Sequence, residues 1–223
     1  MDSAIAREAI LARLSRNRPA APAPVAPDRA WSPPRPGRHE AVDLLCARMA
    51  AVKTEVIRTS AAQMADALAD LLAAKAPSSL AYGPASGVAP LVREVLARPG
   101  MPSPLPVDRP VEELRDALFA VDASVTGVRL AIAENGSLLL TPDATESRLL
   151  SLVPPLHIAV LFESQVRATF ADALAELAEA GPLPPNALLI SGPSKTADIE
   201  LTLTFGVHGP KELAVLVVSG VAP

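Results

Sequence analysis

Cysteine occurs once in this chain, at Cys46, and histidine only three times, at scattered positions. One thiol excludes an internal disulfide. It also excludes any iron–sulfur cluster or cysteine-rich zinc site held by this chain's own cysteines. Aromatic residues make up only 3% of the sequence although half of it is hydrophobic, so a core must be built from Ala, Val and Leu. A formal charge of −4 leaves no electrostatic footprint for nucleic acid. No apolar run approaches the roughly 20 residues of a membrane span, and Arg7, Glu8, Arg13 and Arg16 break any secretory apolar core. These absences describe a cytoplasmic protein. Two nucleotide signatures are missing as well. No G-x-G-x-x-G follows a strand, and no G-x-x-x-x-G-K-[ST] loop is present, which removes the simplest hydride-transfer and ATPase readings.

What is present divides unevenly. Residues 3–16 place Ile5, Ile10, Leu11 and Leu14 at nearly helical spacing, a helix too short to stand alone in water. Residues 17–37 then hold seven prolines, a composition that favours extension and buries no core. The expected organisation is an arm over 1–37 and an α/β domain over 38–223, which the length accommodates. Trp31, the single tryptophan, lies in the arm. It either pins the arm to its own domain or grips a partner.

From His39 on, helical and strand patterns alternate. Segments 40–58 and 61–74 read as helices, with Ser60 as N-cap of the second. Residues 79–82 form a strand, 88–97 a helix, 99–106 a proline-rich loop and 111–120 a helix. Two strands follow over 123–128 and 130–140, the second interrupted at Glu134-Asn135-Gly136. A strand over 157–162, an Ala/Leu-patterned helix over 165–180 and strands over 187–190 and 213–218 complete the domain. Between the last two, Ile199, Leu201, Leu203 and Phe205 alternate as a strand would, while 197–200 could equally open a helix. The fold class is α/β, a mainly parallel sheet flanked by helices.

Chemistry concentrates in a few places. Segment 187–190 breaks into Ser191-Gly192-Pro193-Ser194-Lys195-Thr196, then Asp198 and Glu200. Gly192 permits close backbone approach; Ser191, Ser194, Lys195 and Thr196 supply donors for a small carboxylate or a phosphate. The bland alternative is a strand exit with hydroxyl caps. Glu134 sits among apolar residues, costly to bury alone, and Asn135-Gly136 after it equally marks a hairpin tip. His208, between Gly206 and Gly209, could act as a base, whereas His157 opens an apolar strand and reads as a core histidine.

Four ordered passages also carry a resemblance. Ala131-Ile132-Ala133-Glu134-Asn135-Gly136-Ser137-Leu138, Arg148-Leu149-Leu150-Ser151-Leu152-Val153-Pro154-Pro155-Leu156-His157-Ile158, the stretch from Ser191 to Glu200, and Phe205-Gly206-Val207-His208-Gly209-Pro210-Lys211-Glu212-Leu213 resemble the lactate-utilisation protein C (LutC/YkgG) family and its LUD domain. The likeness runs over 128–218; where the family has Thr-Gly-Thr this chain has Asn135-Gly136-Ser137. The resemblance implies the fold shared by ribose-phosphate isomerases and coenzyme A transferases. It also implies conversion of L-lactate to pyruvate with partner proteins that carry iron–sulfur clusters, this chain binding the small acid or organising the complex. The site it implies has Glu134 and His208 as catalytic groups. Gly136, Ser191, Gly192, Ser194, Lys195, Thr196, Asp198 and Gly209 would be its substrate-binding groups. Ala133-Glu134-Asn135-Gly136 is also similar to the Ser-Glu-Asn-Gly passage of coenzyme A transferases. That likeness implies the alternative of a stand-alone enzyme of the transferase or sugar-phosphate isomerase type, with Glu134 as nucleophile or base.

Overall fold

The computed structural model describes residues 3–16, 36–196, 204–205 and 209–220. The proline-rich stretch with Trp31, and Asp198, Glu200 and His208, lie outside the described residues. The chain divides into two units, Met1–Pro34 and Arg35–Pro223. In the first, helix α1 (Ser3–Arg16) leaves Ile10, Leu11 and Leu14 exposed.

The second unit begins with α2 (Arg38–Ala51), where Glu40 bonds back to the Gly37 amide and closes the first turn. The expectation of one helix over 40–58 is corrected here, because β1 (Glu55–Ser60) occupies its second half. Lys53 takes a positive φ of 69° and ends the helical path, and the β-branched run from Thr54 suits a pleated edge. Ser60 is therefore the end of a strand and not a helix cap. Its hydroxyl donates to the Gln63 side chain at 3.1 Å, and α3 (Met64–Lys75) starts after Gln63. β2 (Ser79–Tyr82) and α4 (Ala89–Leu96) follow.

Within the expected proline loop, β3 (Ser103–Pro106) pairs with β2. Pro104 and Pro106 are tolerated because β3 is the sheet's edge, where missing N–H groups leave no ladder bond unmade. α5 (Val111–Ala120) leads into β4 (Ala123–Gly127). β5 (Leu130–Ile132) and β6 (Ser137–Leu140) form a hairpin whose tip is 133–136, so the hairpin alternative for Glu134-Asn135-Gly136 is the one observed. β7 (Leu156–Phe162) is followed by β8 (Val166–Arg167) and only then by α6 (Phe170–Glu179). The helix expected over 165–180 starts late because Thr169 and Asp172 form a reciprocal capping box that sets its first turn. β9 (Leu188–Ile190), β10 (Lys195–Thr196), β11 (Thr204–Phe205) and β12 (Glu212–Ser219) complete the described elements.

Six strands make one parallel sheet in the order β1-β12-β7-β4-β2-β3. Alternate residues feed its two faces. Leu80, Val125, Ile158, Val160 and Leu216 pack with α3 and α4 on one face. Ala159, Leu161, Val215 and Val217 meet α2 and the β5–β6 hairpin on the other, and α5 covers Ala81 near the β3 edge. The strands are almost wholly apolar because both faces are covered. A second sheet, β8-β5-β6-β9, was not expected; Glu134 lies at its β5–β6 tip, and Ser191 directly follows β9. Its outer face packs α6 through Leu130, Ile132, Leu139, Ala173 and Leu177.

One place in the large sheet is topologically special. From β2 the chain moves outward to β3, whereas from β4 it moves the opposite way to β7. The loops leaving β2 and β4 diverge, and a crevice opens at the carboxyl ends of these strands.

Candidate functional site

Of the residues singled out from sequence, Glu134, Gly136, Ser191 and Gly192 lie at one end of the second sheet. β6 and β9 pair so that Leu138 faces Ile190, which brings Ser137 beside Ser191. Their hydroxyl oxygens stand 2.5 Å apart. Gly136 and Gly192 both adopt positive φ, 68° and 125°, and both lie against the end of α2. A Cβ on Gly136 would stand 2.7 Å from Arg48 Cβ, and one on Gly192 2.9 Å from Val52 Cγ2. These two glycines are required by backbone shape and by close approach together. Ser194 donates its amide to the Pro210 carbonyl at 2.9 Å, and Gly209 packs against the Ser194 side chain. Lys195 is exposed, and the Lys195 and Thr196 backbones pair with Phe205 and Thr204.

Glu134 is half-buried at the hairpin tip. Its Oε2 accepts from the Phe170 amide at 2.9 Å, and its own amide donates to the Ala168 carbonyl at 3.0 Å. The carboxylate thus serves the first turn of α6, where a helix has unsatisfied donors and attracts negative charge. Glu134, at the β5–β6 tip, and Ser191, just past β9, both adjoin the small mixed sheet and not the parallel one. Three-residue strands at an antiparallel hairpin leave too short an apolar pattern to separate them from the main sheet.

The switch-point crevice is a second place, absent from the sequence reading. Its volume is about 340 Å³, and Ser86, Gly87, Gly127, Arg129, Asp143 and Glu146 are among its lining residues. Glu146 accepts from the Gly127 amide with both oxygens, at 3.0 and 3.1 Å. Ser86 hydrogen-bonds the same carboxyl from the opposite wall. Burial dominates these favourable contacts and pushes the Glu146 pKa up from 4.5 to about 7. The single Ser86 hydroxyl proton also lies within reach of the Gly83 carbonyl, at 2.8 Å.

The loop carrying Glu146 is built tightly. Asp143 Oδ1 accepts from the Thr145 amide and hydroxyl and from the Glu146 amide, and these bonds hold its pKa below the ordinary value. Gly83 lets the loop close: a Cβ there would lie 2.2 Å from the Thr145 carbonyl oxygen. The only sequence hint was an acid in a Ser/Thr/Asp turn between two apolar segments. Such turns are too common to single out.

His157 is a core residue. It is fully buried on β7, its Nε2 lies 2.8 Å from Thr126 Oγ1, and desolvation lowers its pKa to about 4. Its Nδ1 has no partner among the described residues. Ser124, on the same face of β4, donates to the Leu150 carbonyl. Among the described residues no three His, Cys, Asp or Glu side chains come together as a metal site. No described helix is long and apolar enough to cross a membrane.

A parallel sheet covered on both faces, with a polar crevice at its switch point, places the chain in the α/β class. The chain matches the LUD domain over residues 42–218 and belongs to that family. It is 34% identical over 175 residues to an uncharacterized protein of Neisseria meningitidis serogroup B, covering 77% of this chain and 74% of that one. Lactate utilization protein C of Deinococcus radiodurans is 38% identical over 137 residues, 56% of this chain and 63% of that protein. The uncharacterized protein YkgG of Escherichia coli is 38% identical over 91 residues, 39% of each chain. The alignments to these last two span less than two thirds of the relatives' own lengths. Among solved structures, a DUF162 family protein from Deinococcus radiodurans superposes with a TM-score of 0.58 at 25% identity, covering 82% of this chain and 99% of that one.

Proposed function

We propose that this chain is the LUD component of a cytoplasmic lactate-utilisation system, taking part in the oxidation of L-lactate to pyruvate. The observation that carries this reading is family membership over most of the chain, with relatives named lactate utilization protein C at 32–38% identity. Partner proteins would hold the iron–sulfur clusters, since one cysteine is available here. The loop over 191–196 would take a small carboxylate or a phosphate, with Gly136, Gly192 and Gly209 setting its packing and Lys195 adding positive charge. Asp198, Glu134 and His208 would complete that site. In the stand-alone alternative, Glu134 would act as nucleophile or base through Oε1 while Oε2 keeps the Phe170 amide.

The test is growth. In a bacterium deleted for its own lactate utilization protein C, expression of this chain is expected to restore growth on L-lactate as sole carbon source. Absence of growth from soluble, folded protein, while the deleted gene itself restores it, overturns the reading. For the loop, calorimetry with inorganic phosphate and with acetate is expected to show Lys195→Ala weakening binding by about 1.5–3 kcal/mol.

A further inference from the structure

Glu146 and Arg129 face a crevice that the reading above does not use. The crevice lies at the carboxyl ends of β2, β4 and β7, where the chain reverses direction across the sheet. Open α/β sheets place ligands at such points because two loops part there without either filling the gap. A volume of about 340 Å³ admits a small metabolite and excludes a dinucleotide.

The polar groups around it sort by what remains available. Asp143 is committed to three donors of its own loop. Gln165 is committed too, accepting from the Phe162 amide and donating to the Val128 carbonyl. Arg129 is exposed, lines the crevice, and its guanidinium has no partner among the described residues. The Gly87 and Val88 amides, in the turn just before α4, likewise have none among the described residues. An unpaired fork of donors beside free helix-start amides suits a carboxylate. Val88, Val160 and Phe162 supply an apolar wall wide enough for a methyl or short alkyl group.

We propose that this crevice binds a small α-hydroxy or α-keto acid, with Arg129 on its carboxylate and Glu146 on its α-oxygen. A carboxyl that is neutral near pH 7 donates to a keto oxygen; once ionised it accepts from a hydroxyl, so one side chain serves both oxidation levels. A phosphate dianion would meet Asp143 and Glu146 at close quarters and is disfavoured. A divalent cation is disfavoured as well, because the Arg129 charge lines the same crevice. The site shares no residue with the 191–196 loop, and the choice of acid rests on the lactate reading above.

The experiment is calorimetry on the full chain with sodium pyruvate and sodium L-lactate, using acetate and inorganic phosphate as comparators. Saturable binding of pyruvate or lactate is expected, tighter than that of acetate, which lacks the α-oxygen. Arg129→Gln should weaken it about tenfold to a hundredfold, and Arg129→Lys less. Because Arg129 is exposed, a folded variant is expected, and its thermal melt confirms it. The proposal is overturned if folded wild type shows no saturable heat with either acid, or if Arg129→Gln binds as well as wild type. None of these results decides the growth test, so the two readings fail separately.

Discussion

Glu134 and Glu146 both sit in turns beside strand ends, yet their surroundings treat the carboxylate in opposite ways. Glu134 is offered a backbone amide at the start of α6, a position that rewards negative charge. Glu146 is also offered an amide, from Gly127, but burial in the crevice outweighs it and favours the neutral acid up to about pH 7. The first carboxylate anchors a hairpin to a helix. The second is poised between protonation states at working pH, the condition a proton-exchanging group needs. A motif can thus mark how the chain turns, while readiness for chemistry depends on desolvation assembled from distant segments.

The largest expected effect separates the crevice from the core. Glu146 titrates near 4.5 unfolded and about 7 folded, so the folded state binds the extra proton and stability falls as pH rises from 4.5 to 7. His157 has the opposite sign: about 4 folded against 6.5 unfolded, so the unfolded state binds the extra proton and stability rises from pH 4 to 6.5. Each effect amounts to roughly 3 kcal/mol, and over pH 4.5–6.5 they oppose one another. Glu146→Gln removes one slope. Urea unfolding of that variant should show stability rising by roughly 3 kcal/mol between pH 4 and 6.5, where the wild type stays nearly flat in these two contributions. Identical profiles for both proteins would mean that Glu146 is solvated and the contrast with Glu134 is lost.

The next effect compares how each turn is packed. Gly83→Ala would push a methyl against the Thr145 carbonyl at 2.2 Å, and neither partner is a flexible side-chain end. A cost of about 2 kcal/mol is expected from chemical denaturation. Amide shifts should spread to Gly127, because the Glu146 loop must retreat. Gly136→Ala combines a left-handed backbone with the Arg48 contact and should cost a similar amount, about 2 kcal/mol. Its shifts should instead spread to α2 and Ser191. Shifts confined to the mutated residue in either variant would show that the turns are looser than they are drawn.

These contrasts also show what could be read before the fold was known. β2, β4, β7 and β12 were legible because strands covered on both faces are short apolar runs, and α3, α4 and α5 because their apolar residues repeat at helical spacing. β1 was hidden because its residues continue the helical spacing of α2, and only the positive φ at Lys53 separates them. β3 was masked by prolines that an edge strand tolerates. Gly192 was legible as a place of close approach and Gly136 as part of a hairpin tip, and the structure puts both against α2. Glu146 was not legible. Its environment comes from Ser86, Gly127 and its own loop, and no local pattern announces that those three meet.

The smallest expected effect tests the other half of the contrast. Glu134→Gln keeps an oxygen for the Phe170 amide and removes only the charge at the start of α6. Charge at a helix N-terminus contributes about 0.3–1 kcal/mol, so the variant should lose about that much at low ionic strength. The loss should shrink in high salt, since the half-buried carboxylate is open to screening. Glu146→Gln should be insensitive to salt in the same measurement, because its effect comes from burial. If Glu134→Gln shows this small, salt-dependent loss and still supports growth on lactate, Glu134 is a structural anchor. If stability barely changes and growth is abolished, the carboxylate has a chemical role that its bond to Phe170 conceals, and both glutamates belong to working sites.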